Sequence, residues 1–316
     1  MNRIAAASAQ KAAAMLQIGT RKVKNGIARS HILTYFLLIC LSFLFLYPFL
    51  FLLITSVKSP ADLQDITVNW VPTTLYFKNY AVAYEYLYYF KFLKNSLVVT
   101  TLSVLGNLIS SSMIAYGFSR YHFRGRNLLF MLVILTVIIP VQTIIIPMSI
   151  QYSNLGWANT LLPLIVPNFF GFGLRGGLYI FIFRQFYIGL PLELEEAAQI
   201  DGCGAARTYI RIILPNAKPA IVVNLILSMV WHWNDYYEPI FYITSSDKRL
   251  LPQLLTSIVH NINNSAGAAE IANQEVVFTL GVLMAGAVLV LMPIVLVFFL
   301  LQKQFMEGIE RTGLVG

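Results

Sequence analysis

Long apolar runs separated by short polar segments dominate the chain. Six runs have roughly the 20 mostly apolar residues that a helix needs to cross a bilayer. They lie at residues 31–54, 97–118, 128–150, 161–187, 220–243 and 276–301. Several contain proline, which packed membrane helices tolerate because neighbouring groups satisfy the freed backbone. The pattern predicts an all-α membrane protein with six transmembrane helices, and the first run is too long and starts too late for a cleavable signal peptide.

The composition agrees with a chain whose main solvent is lipid. Of its 316 residues, 58% are hydrophobic and only 11% are charged, whereas a soluble domain carries roughly 25% charged residues. This excludes a disordered chain, a disulfide scaffold and an ordinary cytosolic enzyme. The two cysteines, Cys40 and Cys203, fall in an apolar run and a charged loop respectively. We therefore expect no disulfide and no metal site.

The basic residues predict the orientation in the membrane. The net charge is +8, and the apolar runs make the membrane surface a better partner for it than nucleic acid. Fifteen basic residues lie in 1–30, in the loop after the second run, after the fourth run and in the tail, against six on the other side. Both termini are therefore expected in the cytoplasm. The basic leader at 1–30 is interpreted either as a solvated segment that sets topology or as an amphipathic surface helix.

The sequence lacks the short motifs of common catalytic sites. It contains no phosphate-binding loop, no zinc-protease helix and no serine-hydrolase elbow. We therefore expect no enzymatic activity and no cofactor or metal bound by this chain. Asp235 and Glu238 lie near an end of the fifth run, without a second span that carries carboxylates. This weighs against a proton-coupled carrier, whose spans usually hold buried acids.

The polar segment after the fourth run is the most informative part of the sequence. Residues 191–215 predict two short helices, because the glutamates within 193–196 suit the positive end of a helix and Gly202 stops it. A second helix is predicted over 205–213. The small residues at 197–198 leave a face that another protein could contact closely. Periodicity alone leaves an ordinary interfacial loop equally open.

The spacing within this segment resembles the EAA motif of importer-type ABC permeases. Glu196-Ala197-Ala198 is followed after three residues by Gly202, after nine more by Ile212, and after one more by Leu214-Pro215. The segments 181–186 and 233–236 are also similar to the carbohydrate-uptake branch of that family, in its shorter, maltose-permease type. The resemblance covers about residues 34–316. In the tail, Val315 stands where the family usually has a lysine.

The resemblance implies a type I importer permease fold and a division into three parts. These are the leader at 1–30, a six-helix domain at 31–301 with a cytoplasmic coupling loop at 188–218, and a cytoplasmic tail at 302–316. It also implies several partners: a second homologous permease, an ATPase dimer that holds ATP and Mg, an extracytoplasmic binding protein, and a sugar or oligosaccharide. The residues implied in ATPase docking are Glu195, Glu196, Ala197, Ala198, Asp201 and Gly202.

A second set of residues is a candidate for the solute pathway. Arg175 lies within the fourth run, where a charge is costly and therefore suggests a function. It could bind an acidic oligosaccharide, or it could pair or snorkel near the outer surface. In the fifth run the candidates are Trp231, His232, Trp233 and Asn234. These aromatic residues could stack on a sugar ring or belong to an interfacial belt.

Two other functional classes compete with the permease interpretation. A stand-alone carrier driven by an ion gradient would also lack a nucleotide-binding loop. A membrane scaffold or regulator would lack one as well. The docking motif favours only the importer, in which ATP hydrolysis takes place on separate subunits.

Overall fold

The computed structural model describes residues 33–264 and 280–313, and these residues form helices without strands. The predicted leader, the first residues of the sixth predicted run and Val315 lie outside the described residues. The α-helices are α1 Leu33–Ser56, α2 Pro60–Gln64, α3 Lys78–Tyr86, α4 Tyr89–Arg120, α5 Arg126–Ile138, α6 Val141–Asn154, α7 Leu162–Ile165, α8 Gly176–Gly189, α9 Glu193–Ile200, α10 Ala205–Thr208, α11 Leu214–Asn216, α12 Lys218–Trp233, α13 Tyr237–Tyr242, α14 Leu251–Asn264 and α15 Leu280–Gly313. Two 3₁₀ turns, Val166–Phe170 and Ser246–Lys248, and a π-helical turn, Tyr209–Ile213, complete the described elements.

Helix α4 is the centre of the bundle. Its 32 residues extend over about 48 Å, and it packs against α8, α12 and the 3₁₀ turn Val166–Phe170. Ser103 Oγ donates to the Leu164 carbonyl at 2.8 Å, and Ser110 Oγ donates to the Asn168 carbonyl at 2.6 Å. Such bonds satisfy irregular backbone that would be too costly to expose to lipid. The small polar side chains of α4 thus allow the short helix α7 and the 3₁₀ turn Val166–Phe170 to lie against it.

The predicted third and fourth runs are broken in the structure. The run at 128–150 forms α5 and α6, which meet at an angle of 101° at Pro140, because the residue before a proline avoids the helical region. The run at 161–187 forms α7, a 3₁₀ turn and α8. Gly171 and Arg175 have φ values of 70° and 62°, in the left-handed region, and thereby end one helical segment and start the next.

The helices in the fifth and sixth predicted runs also end at positions that differ from the predicted ones. The run at 220–243 stops being one helix at Trp233 and continues as α13. Helix α15 continues to Gly313, so the tail predicted from residue 302 is an extension of that helix in its described part.

The number of single, straight spans is smaller than the six runs predicted. Within the described residues, three helices, namely α1, α4 and residues 280–304 of α15, are long and apolar enough to cross a membrane. Two bent pairs, α5 with α6 and the segment Ala205–Asn216 with α12, pass the same test as units. The all-α architecture is confirmed, and the count of six stays a prediction.

One end of the bundle is held by polar contacts around α2 and α3. Lys58 Nζ donates to the carbonyls of Val68 and Asn69, and the buried Asn79 side chain donates to the carbonyls of Ser56 and Lys58. These bonds attach the chain after α1 to the rest of the bundle. Asp62 accepts from the hydroxyl and the backbone N–H of Thr73. The hydroxyl bond is the main reason that the pKa of Asp62 lies below its ordinary value.

Candidate functional site

Helix α9 lies at the opposite end of the bundle, where α4 and α8 finish. Helix α8 ends at Gly189, and the backbone of the next residue, Leu190, is extended. Helix α9 begins at Glu193 with three glutamates in its first turn. Negative charge there is favourable because the helix N-terminus carries unpaired N–H groups. Pro191 lies outside the helix, two residues before its first residue. The predicted helix is confirmed with slightly later bounds.

The end of α9 is a sharp turn that only glycine adopts easily. Gly202 has φ 76°, and a Cβ built on it would meet no atom within 4 Å. The N–H of Cys203 donates to the Ala198 carbonyl at 2.9 Å, which closes the C-terminus of the helix. The conformation, not crowding, is therefore what requires glycine at this position.

The second predicted helix extends further than the sequence suggested. Helical backbone continues from α10 through the π turn Tyr209–Ile213 into α11, and Pro215 lies near the start of α11. A proline lacks the N–H for an α-helical bond and clashes with the carbonyl four residues earlier. A wider π turn just before Pro215 avoids both problems.

The two sides of α9 have different surroundings. Glu195 and Ala198 are buried, with relative exposures of 9% and 2%. The other docking candidates are exposed: Glu196, Ala197, Asp201 and Gly202. Ile200 is 87% exposed and Leu192 58% exposed. The outward side therefore combines an acid, a small residue and exposed apolar groups, as a surface that contacts another protein does.

Glu195 differs from the other docking candidates because its carboxylate points into the chain. Its Oε1 lies 2.5 Å from Nε of Arg120, and its Oε2 accepts a hydrogen bond from the Tyr116 hydroxyl at 3.1 Å. The sequence placed Glu195 on the docking surface together with Glu196. The structure instead places it against the last turn of α4.

The solute-pathway candidates also separate into two groups. Arg175, Trp231 and Asn234 line a cavity of about 1010 Å³ between α5, α6, α8 and α12. The Arg175 guanidinium lies over the Trp231 ring, 4.4 Å from its centroid, in a cation–π contact. Arg175 is exposed at the break before α8, and not within a continuous helix as the apolar run had indicated.

His232 and Trp233 face away from this cavity. Nδ1 of His232 lies 2.7 Å from the Ser228 carbonyl oxygen, and its Nε2 lies 3.2 Å from the Asn168 side-chain oxygen. Trp233 Nε1 donates to the Val290 carbonyl of α15 at 3.1 Å. Both side chains are buried, so they join α12 to its neighbours, and the packing interpretation fits them better than sugar stacking.

The cavity contains acidic and aromatic residues that sequence reasoning did not select. Asp235 and Glu238, set aside as proton-relay residues, line it together with Tyr152 and Tyr242. The N–H of Glu238 lies 3.4 Å from Asp235 Oδ1, which places both acids at the start of α13. The sequence offered one signal for this pair, namely two acids spaced three residues apart close to a tryptophan. The break between α12 and α13, which turns them to the cavity, was not visible in the sequence.

Residues 106–311 match the family described as binding-protein-dependent transport system inner membrane component. The chain belongs to this family. It is 30% identical over 283 residues to the arabinooligosaccharides transport system permease protein AraQ of Bacillus subtilis, covering 87% of this chain and 92% of that protein. It is also 30% identical over 274 residues to the probable starch degradation products transport system permease protein AmyC of Thermoanaerobacterium thermosulfurigenes, covering 87% and 93%.

A solved structure supports the permease fold. A bacterial ABC transporter involved in the import of the acidic polysaccharide alginate aligns with a TM-score of 0.73 over 87% of this chain and 95% of the matched chain. At 22% identity, this likeness establishes the fold alone.

These comparisons decide between the functional classes. The chain is a membrane permease subunit of an ABC importer, as the EAA-like spacing predicted, and not a stand-alone ion-coupled carrier. In this permease, the segment after α8 carries the motif, and the cavity beside Trp231 lies between α5, α6, α8 and α12.

Proposed function

We propose that this permease forms half of the translocation pathway of an ATP-driven sugar importer in a bacterial or archaeal cell membrane. A second homologous permease would supply the other half. Two ATPase subunits would hold ATP and Mg and dock on α9, and an extracytoplasmic binding protein would deliver the solute. The observation that carries the proposal is the exposed side of α9, where Glu196 and Ala197 stand outward next to the Gly202 turn.

The proposed topology has six spans and places α9 and both termini in the cytoplasm. Support comes from the arginines at the α9 end of the bundle, where Arg120 contacts Leu190 and Arg184 lies over the Phe130 ring. Basic residues concentrate on the cytoplasmic side of membrane proteins. The opposite end holds the exposed ion pair of Lys91 and Asp247.

The proposed mechanism transmits movement and involves no chemistry on this chain. Closure of the ATPase dimer around ATP would pull the two docked α9 helices together. The attached helices would then turn as rigid bodies from an inward-facing to an outward-facing arrangement, and hydrolysis would reset them. A rigid α9 that ends at a sharp turn suits this role, since a docked element must move as a unit.

The proposed solute is a sugar or oligosaccharide. The relatives named above carry arabinooligosaccharide and starch-product transport in their names. The cavity supports the same class, because its lining combines an aromatic residue, Trp231, with the hydrogen-bonding groups of Asn234, Asp235 and Glu238. Arg175 adds a planar, fork-shaped donor that suits a carboxylate, so an acidic oligosaccharide is part of the proposal.

Two substitutions test the docking role of α9. Glu196→Lys places a cation where the acid would meet a basic groove of the ATPase. Gly202→Pro disrupts the turn, because proline cannot adopt the φ of 76° found at this position. Each variant is expressed with the partner permease and the ATPase, and the tagged chain is purified from membranes. We expect the retained ATPase to fall by about tenfold or more, as is common when a buried charge contact is reversed.

Glu193→Lys is the matched control, since Glu193 is an exposed acid in the same turn. The amount of permease in the membrane should equal wild type for all three variants. Normal ATPase retention by both Glu196→Lys and Gly202→Pro would show that α9 is not the docking element.

A further inference from the structure

Arg120 fastens two parts of the coupling loop to the last turn of α4. Its Nη2 donates to the carbonyl of Leu190, the residue immediately after α8, at 2.9 Å. Its Nε forms the 2.5 Å ion pair with Glu195 of α9. One guanidinium therefore holds both the entrance to the loop and its docking helix. Because the guanidinium is charged and carries several N–H groups, it can pair with the Glu195 carboxylate while it donates a hydrogen bond to the Leu190 carbonyl.

The ion pair is enclosed on both sides. The Arg120 and Glu195 side chains have relative exposures of only 7% and 11%. Tyr116, one turn earlier on α4, donates its hydroxyl to the second carboxylate oxygen of Glu195. With little water to compete, the contact is screened weakly and tends to keep one geometry.

A second polar layer lies below the ion pair and supports the same joint. Ser112 Oγ bonds with the hydroxyls of Tyr187 in α8 and Tyr209 in the π turn, at 2.5 and 2.7 Å. The Tyr116 ring packs on the Tyr209 ring at 5.0 Å. The end of α4, the end of α8 and both arms of the loop thus meet in one buried cluster.

We propose that Arg120, Glu195 and Tyr116 form the link that carries movement of α9 into α4. The inference rests on the proposed function, and it gives Glu195 a positioning role inside the permease in place of contact with the ATPase. Glu195 and Glu196 are adjacent in sequence, but Glu195 is buried and Glu196 is exposed, so one acid transmits the displacement and the other docks the partner. Helix α4 also packs against α8, α12 and the 3₁₀ turn beside the cavity, so its movement reaches the solute pathway.

The link and a docking role for Glu195 predict different losses. A docking residue, once removed, releases the ATPase and lowers hydrolysis and uptake together. A link, once broken, leaves the ATPase bound and hydrolysing but lowers the uptake obtained per ATP. A residue needed only for folding lowers the amount of assembled complex.

The experiment uses the complete complex in lipid vesicles, with the full chain, the partner permease, the ATPase and the binding protein. The probes are tritiated oligosaccharide pools prepared from arabinan, starch and alginate. Hydrolysis and uptake are measured for Glu195→Gln, Arg120→Gln and the double variant, with Glu193→Gln as the matched exposed control. Hydrogen exchange of the amides at 193–200 is followed on the same complexes.

For Glu195→Gln we expect ATPase retention and hydrolysis within about twofold of wild type, and uptake per ATP lowered about tenfold or more. Exchange at 193–200 should rise about tenfold. Uptake per ATP in the double variant should be no lower than in either single variant. Each single change leaves one buried charge without its partner, whereas the double change removes both charges. Arg120→Lys should recover part of the uptake, and Tyr116→Phe should lose only a few-fold.

Several outcomes would overturn the link. Joint loss of ATPase and uptake in Glu195→Gln would assign Glu195 to docking. If the losses of uptake per ATP in the two single variants multiply in the double variant, the pair does not transmit movement. The same conclusion follows if uptake per ATP is unchanged although hydrogen exchange at 193–200 is faster. If the complex with Glu195→Gln does not assemble, uptake per ATP is measured for Tyr116→Phe and Arg120→Lys instead, and these values test the link. A wild-type complex without ATP-driven uptake of any pool would instead contradict the proposed function itself.

Discussion

Arg175 has an unusual backbone and an unusual neighbour. Its φ of 62° places it in the left-handed region, which non-glycine residues seldom adopt, and its guanidinium lies over the Trp231 ring. The strain is tolerated because the break before α8 fixes the chain on both sides. The guanidinium is therefore a cation at the cavity wall, and its N–H donors remain available to a solute.

Arg175→Gln tests whether this cation selects an acidic solute. We expect uptake of the alginate-derived pool to fall about tenfold or more, because a charge-assisted contact is lost, while the starch-derived pool changes by less than about twofold. Arg175→Lys should restore only part of the uptake, since lysine lacks the planar fork. Both pools are compared in reconstituted vesicles. Equal losses would mean that Arg175 is structural, and unchanged uptake of both pools would mean that it merely faces water.

At the residue scale, the sequence showed which side chains were notable but not where they point. Glu195 and Glu196 are identical in type and adjacent, and the partners that hold Glu195 inward, Arg120 and Tyr116, lie 75 and 79 residues earlier in the chain. His232 and Trp233 look like ligands for a sugar in the sequence alone. Their partners, Asn168 and Val290, come from distant helices that no local pattern indicates.

At the element scale, glycines near the helix break serve close packing. A Cβ on Gly177 of α8 would lie 2.6 Å from the Val133 carbonyl of α5 and 2.5 Å from Thr136 Oγ1. A Cβ on Gly176 would lie 2.6 Å from the Gly171 carbonyl. Small residues let membrane helices approach closely, because the backbones themselves form the contact.

Gly177→Ala should therefore loosen the contact between α8 and α5. We expect a loss of about 1–3 kcal/mol in stability, since the backbone carbonyl of Val133 cannot move away freely. Gly117→Ala is the matched control, because a Cβ there meets no atom within 4 Å and alanine favours a helix by up to about 1 kcal/mol. The midpoint of thermal unfolding in detergent distinguishes them. A midpoint for Gly177→Ala at or above that of Gly117→Ala would contradict the close contact.

The coupling loop was the element most accessible from the sequence. Its helices are short, its acids lie at a helix start and its turn needs glycine, so the signals are local and agree with one another. The broken runs were less accessible, because apolar composition predicts the length of a crossing and not its straightness. The bend at Pro140 had a local signal. The break at 171–175 depends on the polar bonds that α4 supplies to the 3₁₀ turn.

At the scale of the whole molecule, the two ends of the bundle are built for different contacts. The α9 end carries a buried ion pair beneath the exposed side that is proposed for docking. The cavity lies among the helices and is lined in part by the 3₁₀ turn Val166–Phe170, which packs on α4. Helix α4 touches both regions. This arrangement suits a subunit that receives movement at one end and exposes a solute pathway elsewhere.

The central claim, that this permease converts ATP hydrolysis on partner subunits into solute uptake, is tested most directly by reconstitution. The chain is placed in lipid vesicles alone, with the partner permease, and with the permease, ATPase and binding protein. ATP hydrolysis and uptake of the tritiated arabinan, starch and alginate pools are measured together. We predict neither activity for the chain alone or with the second permease. We predict ATP-dependent uptake for the full assembly, with hydrolysis stimulated by the loaded binding protein. Robust hydrolysis by the isolated chain, or uptake by it under an ion gradient without ATPase, would contradict the account.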